Sequence, residues 1–209
     1  MKHLNTYITE YIIKKKLDKP IDSEYKYHPK SKDELIENIK ELISKDIYDF
    51  NCIDTSEIID MTSLFDAGNY NKPLNNIDIS KWNVHNVKNM KGMFFEYNSF
   101  NCDLSGWDVS KVKDMSYMFS NCEKFDCNLG NWNIKNVKAM NALFSGCYNF
   151  TGKGLENWDV SNVENMEFMF YDCLKFNCNL NKWNVNNANI YYMLYNRNKL
   201  KNKPSWYKE

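Results

Sequence analysis

The chain lacks an excess of charge of either sign. Its 209 residues carry 27 basic and 27 acidic side chains, a formal net charge of zero. A broad electrostatic grip on nucleic acid needs clustered excess Lys or Arg, so that class is disfavoured. Arginine is almost missing, with Arg197 standing alone. Bidentate recognition of phosphate or carboxylate by guanidinium groups is therefore nearly unavailable. No apolar run approaches the roughly 20 residues that cross a bilayer, which predicts no membrane span. The opening MKHLNTYITEYIIKKK is a poor secretory signal, because polar residues interrupt it and no small-residue cleavage site follows.

Signatures of catalysis are also missing. GKG at 152–154 lacks the G-x4-G-K-[ST] frame of a phosphate loop, and no G-x-S-x-G occurs. Histidine is sparse and scattered, at His3, His28 and His85. The Cys122/Cys127 and Cys173/Cys178 pairs have C-x4-C spacing, longer than the C-x2-C that zinc favours, and no His lies near them. No enzyme activity, metal or cofactor is expected. The seven cysteines read as small buried hydrophobes, and an odd number leaves one thiol unpaired within a monomer. A reducing compartment is the simpler inference.

What the chain does have is a repeat. Trp82, Trp107, Trp132, Trp158 and Trp183 follow one another at 25, 25, 26 and 25 residues. Val87, Val112, Val137 and Val163 keep the step, as do Met90, Met115, Met140 and Met166, and Phe94, Phe119, Phe144 and Phe170. The extra residue lies in TGKGLENW, where Gly152 and Gly154 can absorb it in a turn. An earlier unit places Ile53, Ile58, Met61 and Phe65 in the same columns. Later the pattern decays: Tyr191 stands in the Met column, Tyr195 in the Phe column and Asn198 in the Cys column, while Trp206 falls outside the register. The polar tail after Leu200 suits a terminal cap.

Within one unit, Trp107-x-Val109 alternates as a short strand does, both side chains inward. Met115, Met118, Phe119 and Cys122 sit at i, i+3, i+4 and i+7, one face of a short helix. The expected fold is α/β, a leucine-rich-repeat-like solenoid of about 25-residue repeats. A parallel sheet would form one face and short helices the other. Ahead of it, Tyr25 and Tyr27 suggest a strand. Ser31-Lys32-Asp33-Glu34 is a capping-box pattern opening a helix with Leu35, Ile36, Ile39, Leu42 and Ile43 on one face. The organisation is then 1–48 as a helical N-terminal cap, 49–197 as the solenoid and 198–209 as a tail. Leu4, Tyr7, Ile8, Tyr11 and Ile12 recur at helical spacing, for a helix that docks on its own domain or on a membrane surface or partner.

WDVSKVKDMSYMFSNCEKFDCNL and WDVSNVENMEFMFYDCLKFNCNL resemble the repeat of the BspA-like leucine-rich-repeat surface proteins of bacteria, over residues from about 50 to 197. The leader MKHLNTYITEYI, with YKYHPKSKDELIENIKELI after it, also resembles modules that precede such repeats in gut bacteriophages. The first resemblance implies an adhesin at a cell surface or on a virion that contacts host proteins.

If Trp107 and Val109 point inward, Gly106, Asp108 and Ser110 point out. The equivalent sets are Lys81, Asn83 and His85; Asn131, Asn133 and Lys135; Asn157, Asp159 and Ser161; and Lys182, Asn184 and Asn186. Together they would tile an open polar face of the kind repeat proteins use for partners. Tyr70 and Tyr97 are candidate anchors in the loops. The sequence thus points to a non-enzymatic protein–protein interaction module, a monomer with an unknown protein partner. It would act in the cytoplasm of a bacterium, the host if phage-encoded, with the surface or virion adhesin as the alternative. Asp108 and Asp159 alternate with Asn in one column, which fits turn chemistry better than acid–base work.

Overall fold

The computed structural model describes residues 25–70, 74, 76–195 and 203–207; the amphipathic N-terminal segment and Asn198 lie outside these. Among the described residues there is one α-helix, α1 (Lys32–Ser44), and two three-residue 3-10 turns, Ala67–Asn69 and Leu155–Asn157. Ser31 caps α1 by accepting from the Glu34 N–H, and Leu35, Ile39, Leu42 and Ile43 face the core. Glu34 reaches back to the Lys30 N–H at 2.7 Å, one residue ahead of the usual capping-box partner.

The expected parallel sheet and the row of short helices are not formed, so the leucine-rich-repeat-like solenoid is not the architecture. In place of a sheet there is a line of isolated parallel bridges: Asp60 to Asn89, then Asp114, Ala139, Asn165 and Asn189. In place of helices there are consecutive β-turns. The Met118 N–H bonds the Met115 carbonyl and the Cys122 N–H bonds the Phe119 carbonyl, both i to i+3. Tyr117 and Asn121, third in those turns, have φ of 60° and 61°. A positive φ at the third position marks a type II turn and ends any helix. The intervening N–H groups of Met115, Tyr117, Phe119 and Asn121 donate to Ala139, Asn141, Leu143 and Ser145 of the next repeat. Hydrogen bonds therefore run between repeats, where a helix would spend them on itself.

The rest of the unit obeys the same rule. Trp107 bonds back to Leu104, Val112 to Val109 and Phe125 to Cys122. Each apolar-x-x-apolar step is one turn, with both apolar ends buried. The core is a set of columns along the stack. Phe65, Phe94, Phe119, Phe144 and Phe170 stack at 5.3, 5.4, 5.6 and 5.8 Å between successive centroids. Trp132, Trp158 and Trp183 stack at 6.4 Å, nearly parallel. Each indole N–H also reaches a carbonyl of the preceding repeat, as Trp132 does to Leu104 at 2.9 Å. The extra residue at 152–154 sits where Gly152 and Gly154 have φ of 81° and 88°. A Cβ on Gly152 would lie 2.5 Å from the Phe176 ring.

Two register assignments near the C terminus change. The Met193 N–H bonds the Ile190 carbonyl, and the Phe170 N–H bonds the Met193 carbonyl. Ile190 and Leu194 therefore take the Met and Phe columns, and Tyr191 and Tyr195 turn outward. The chain is one residue shorter between Ala188 and Asn189, so counting from Trp183 overshoots. Trp206, by contrast, is in register: its indole N–H reaches the Leu180 carbonyl at 3.0 Å, as each earlier Trp does one repeat back.

Candidate interaction face and thiol columns

The turn after each Trp positions the residues singled out in the sequence. Asp108 Oδ1 accepts the Ser110 N–H at 3.0 Å, and Asp159 accepts that of Ser161 at 3.1 Å. Asn83, Asn133 and Asn184 do the same for His85, Lys135 and Asn186 at 3.2 to 3.3 Å. These are Asx turns, and they need only a carbonyl-type oxygen two residues before the amide. That is why Asp and Asn interchange in the column. A second polar column escaped the sequence reading. Asn136, Asn162 and Asn187, four residues after each Trp, donate to the carbonyls of Ser110, Lys135 and Ser161 one repeat back. Their constant offset from Trp was the available signal.

Lys81, Asn83, His85, Gly106, Asp108, Asn131, Asn133, Lys135, Asn157, Asp159, Lys182, Asn184 and Asn186 are exposed, and Ser110 and Ser161 are half-buried. They line one side of the stack on turns, not on a sheet. The Asp and Asn oxygens are occupied with their own backbone, so the side chains at the flanking positions are the ones left to meet another molecule. One link crosses repeats: His85 Nδ1 lies 2.6 Å from Asp108 Oδ2. The Ser110 hydroxyl, and then His85, pull the Asp108 carboxyl down to about 2.

Tyr70 and Tyr97 do not serve as loop anchors, because both are buried. Tyr70 donates to the Leu64 carbonyl at 2.8 Å. Tyr97 lines a cavity of about 180 Å³ with Asn76, Ile77, Ser99, Phe100, Asn101 and Cys102. Exposed rings stand elsewhere, on the outer side of the Met–Phe turns. They include Phe95, Tyr117, Tyr191, Tyr192 and Tyr195.

All seven cysteines are free thiols. Cys122, Cys147 and Cys173 donate to the carbonyls of Phe94, Phe119 and Phe144 at 3.0, 2.9 and 2.9 Å. Burial raises each of these thiols. Cys127 and Cys178 are buried too, and burial pushes them to about 11 and about 12. Thiols held protonated are weak nucleophiles and poor metal ligands. Among the described residues no three His, Cys, Asp or Glu side chains converge as a metal site would require. No helix among them is long and apolar enough to cross a membrane.

Residues 32–154 and 127–208 match the family described as "Mycoplasma protein of unknown function, DUF285". The chain belongs to the DUF285 family. No curated protein and no solved structure matches it. The two matched DUF285 segments overlap at 127–154, slightly more than one repeat, and together take in α1, every Trp-centred unit and Trp206. The family description assigns no activity.

Proposed function

We propose that this DUF285 member is a non-enzymatic protein-interaction module. It binds a protein partner through the polar side of its stacked turns and the adjoining loops. The observation that supports this reading is the face itself. Its backbone is fixed by an Asx turn in every repeat, while flanking side chains such as Lys81, His85, Lys135 and Lys182 stay exposed. A pre-ordered polar surface loses little entropy on binding. The free thiols, held protonated in the core, favour action in a reducing compartment such as a bacterial cytoplasm. Affinity capture from bacterial lysate should recover a partner with the wild type and lose it with His85→Glu/Lys135→Glu/Lys182→Glu. The same proteins recovered by both would refute the face.

A second reading draws on the likeness of WDVSNVENMEFMFYDCLKFNCNL to BspA-like surface repeats. It makes the chain a surface or virion adhesin. Antibody labelling of intact cells or particles separates the two, since only the adhesin would be stained without permeabilisation.

A further inference from the structure

Over the Met–Phe turns the backbone ladder between repeats runs one way, whereas the amides just before them, such as Lys138 and Glu164, donate one repeat back. In each unit alternate N–H groups donate forward, as Met166, Phe168 and Phe170 do to the carbonyls of Asn189, Tyr191 and Met193. In the last unit the equivalent donors are Ile190, Tyr192 and Leu194. Among the described residues none of these three N–H groups meets an acceptor. The rings beside them are open as well. Tyr192 stacks on Phe168 at 5.5 Å and Tyr195 on Tyr171 at 5.3 Å. The two rings stand nearly perpendicular to each other, at 82°, and the residues are 41% and 47% exposed.

We propose that this C-terminal edge docks an extended segment of a different protein, one that offers backbone carbonyls at alternate residues to Ile190, Tyr192 and Leu194 and lays aromatic side chains on Tyr192 and Tyr195. The occupant follows from hydrogen-bond complementarity. A second copy placed end to end about a two-fold axis would set donors against donors. A copy placed head to tail would need the carbonyls of Asp60, Thr62 and Leu64, the equivalent acceptors of the first unit. Two of the three are taken, Thr62 by Lys32 Nζ at 3.2 Å and Leu64 by the Tyr70 hydroxyl at 2.8 Å, with Lys32 belonging to α1 at the same end. Only a chain with unpaired carbonyls fits, and strand addition to an open edge is a common recognition mode.

The probe is a synthetic peptide of residues 164–173 carrying Cys173→Ser, whose Phe168 and Tyr171 would stand over Tyr192 and Tyr195. Amide exchange of the full chain is followed by NMR. In the free protein the amides of Ile190, Tyr192 and Leu194 should exchange at least 10-fold faster than those of Phe168 and Phe170. Adding the peptide should slow the first group by at least 10-fold. Tyr192→Gly, which keeps the positive φ without strain, should weaken peptide binding about 10-fold. Three outcomes would overturn the proposal: edge amides already protected in the free chain, no protection at any peptide concentration, or a dimer in ultracentrifugation that Tyr192→Gly dissociates. None of them touches the polar face, whose own variant should bind the peptide as the wild type does.

Discussion

At the N-terminal end of the stack the carbonyls of Thr62 and Leu64 are closed by side chains from Lys32, Asn69 and Tyr70, and α1 covers the core with four buried aliphatic residues. At the C-terminal end the core is continued by Met193, Leu194 and the indole of Trp206, yet the N–H groups of Ile190, Tyr192 and Leu194 face outward without acceptors among the described residues. Over the Met–Phe turns this stack leaves donors at one end and acceptors at the other, because every bond of that segment runs forward, while Lys113, Lys138 and Glu164 donate one repeat back elsewhere in the unit. Acceptors are easily closed by Lys, Asn and Tyr, which reach and donate. Backbone donors need carbonyls or carboxylates aimed at them, and this chain sets exposed tyrosines there. Stability should therefore concentrate in the middle and at the capped end.

The largest effect should come from the middle. Trp132→Ala removes a ring stacked on Trp158 and an indole N–H bond to Leu104. A loss of about 3–5 kcal/mol is expected in urea unfolding. Trp206→Ala, at a half-buried position, should cost clearly less even though Trp206 is in register. Equal losses would mean that position along the stack does not matter. Next comes the contrast between the ends. Ile39→Ala, in a fully buried site of α1, should cost about 2–5 kcal/mol. Tyr192→Gly at the open end should cost about 0.5 kcal/mol or less. If both ends proved equally sensitive, the C-terminal edge would have to be closed in the free chain.

How much of this could be read from the letters depends on which physical fact each letter reports. Burial was legible: Trp107, Met115, Phe119 and Cys122 are core because they recur, and every one is buried. The helix α1 was legible too, since Ser31 and Glu34 mark its start and its apolar face is long enough to dock. The rung geometry was not. The spacing i, i+3, i+4, i+7 belongs equally to one helix face and to two four-residue turns in series. Only the positive φ at Tyr117 and Asn121 decides between them, and neither residue is glycine. A hint lay in the length, because eight residues are too few to hold a helix by themselves. At the candidate site the exposed residues were found, but their turn chemistry hid the Asn column behind them. The terminal tyrosines were misplaced because a single residue is missing between Ala188 and Asn189.

A smaller effect tests helix against turn by its sign. Glu96 has a φ of 60° and is exposed, and it occupies the place that Gly146 takes two repeats on. In a helix Glu96→Gly would destabilise by about 0.5–1 kcal/mol. In the turn it should stabilise by about 1 kcal/mol, since a left-handed residue with a Cβ costs roughly that much. A raised melting temperature is the expected result, and a lowered one would count against the turn architecture.

The smallest effect concerns the link between repeats at His85 and Asp108. The Asp108 carboxyl is held at about 2, mainly by the Ser110 hydroxyl and then by His85. A carboxyl whose folded value lies below its ordinary value near 4 adds stability above that value. The contribution fades as pH falls through about 2, when the folded form takes up its proton. Both side chains are about half exposed, at 47% and 52%, so solvent screening keeps it small. Asp108→Asn should keep the Asx turn, as Asn133 and Asn184 do, and lose only the charge-dependent part. Urea midpoints of the variant and the wild type should then differ slightly at pH 5 and converge near pH 2. A gap that stayed constant over that range would assign the difference to geometry, and a larger gap at low pH would reverse the sign of the argument.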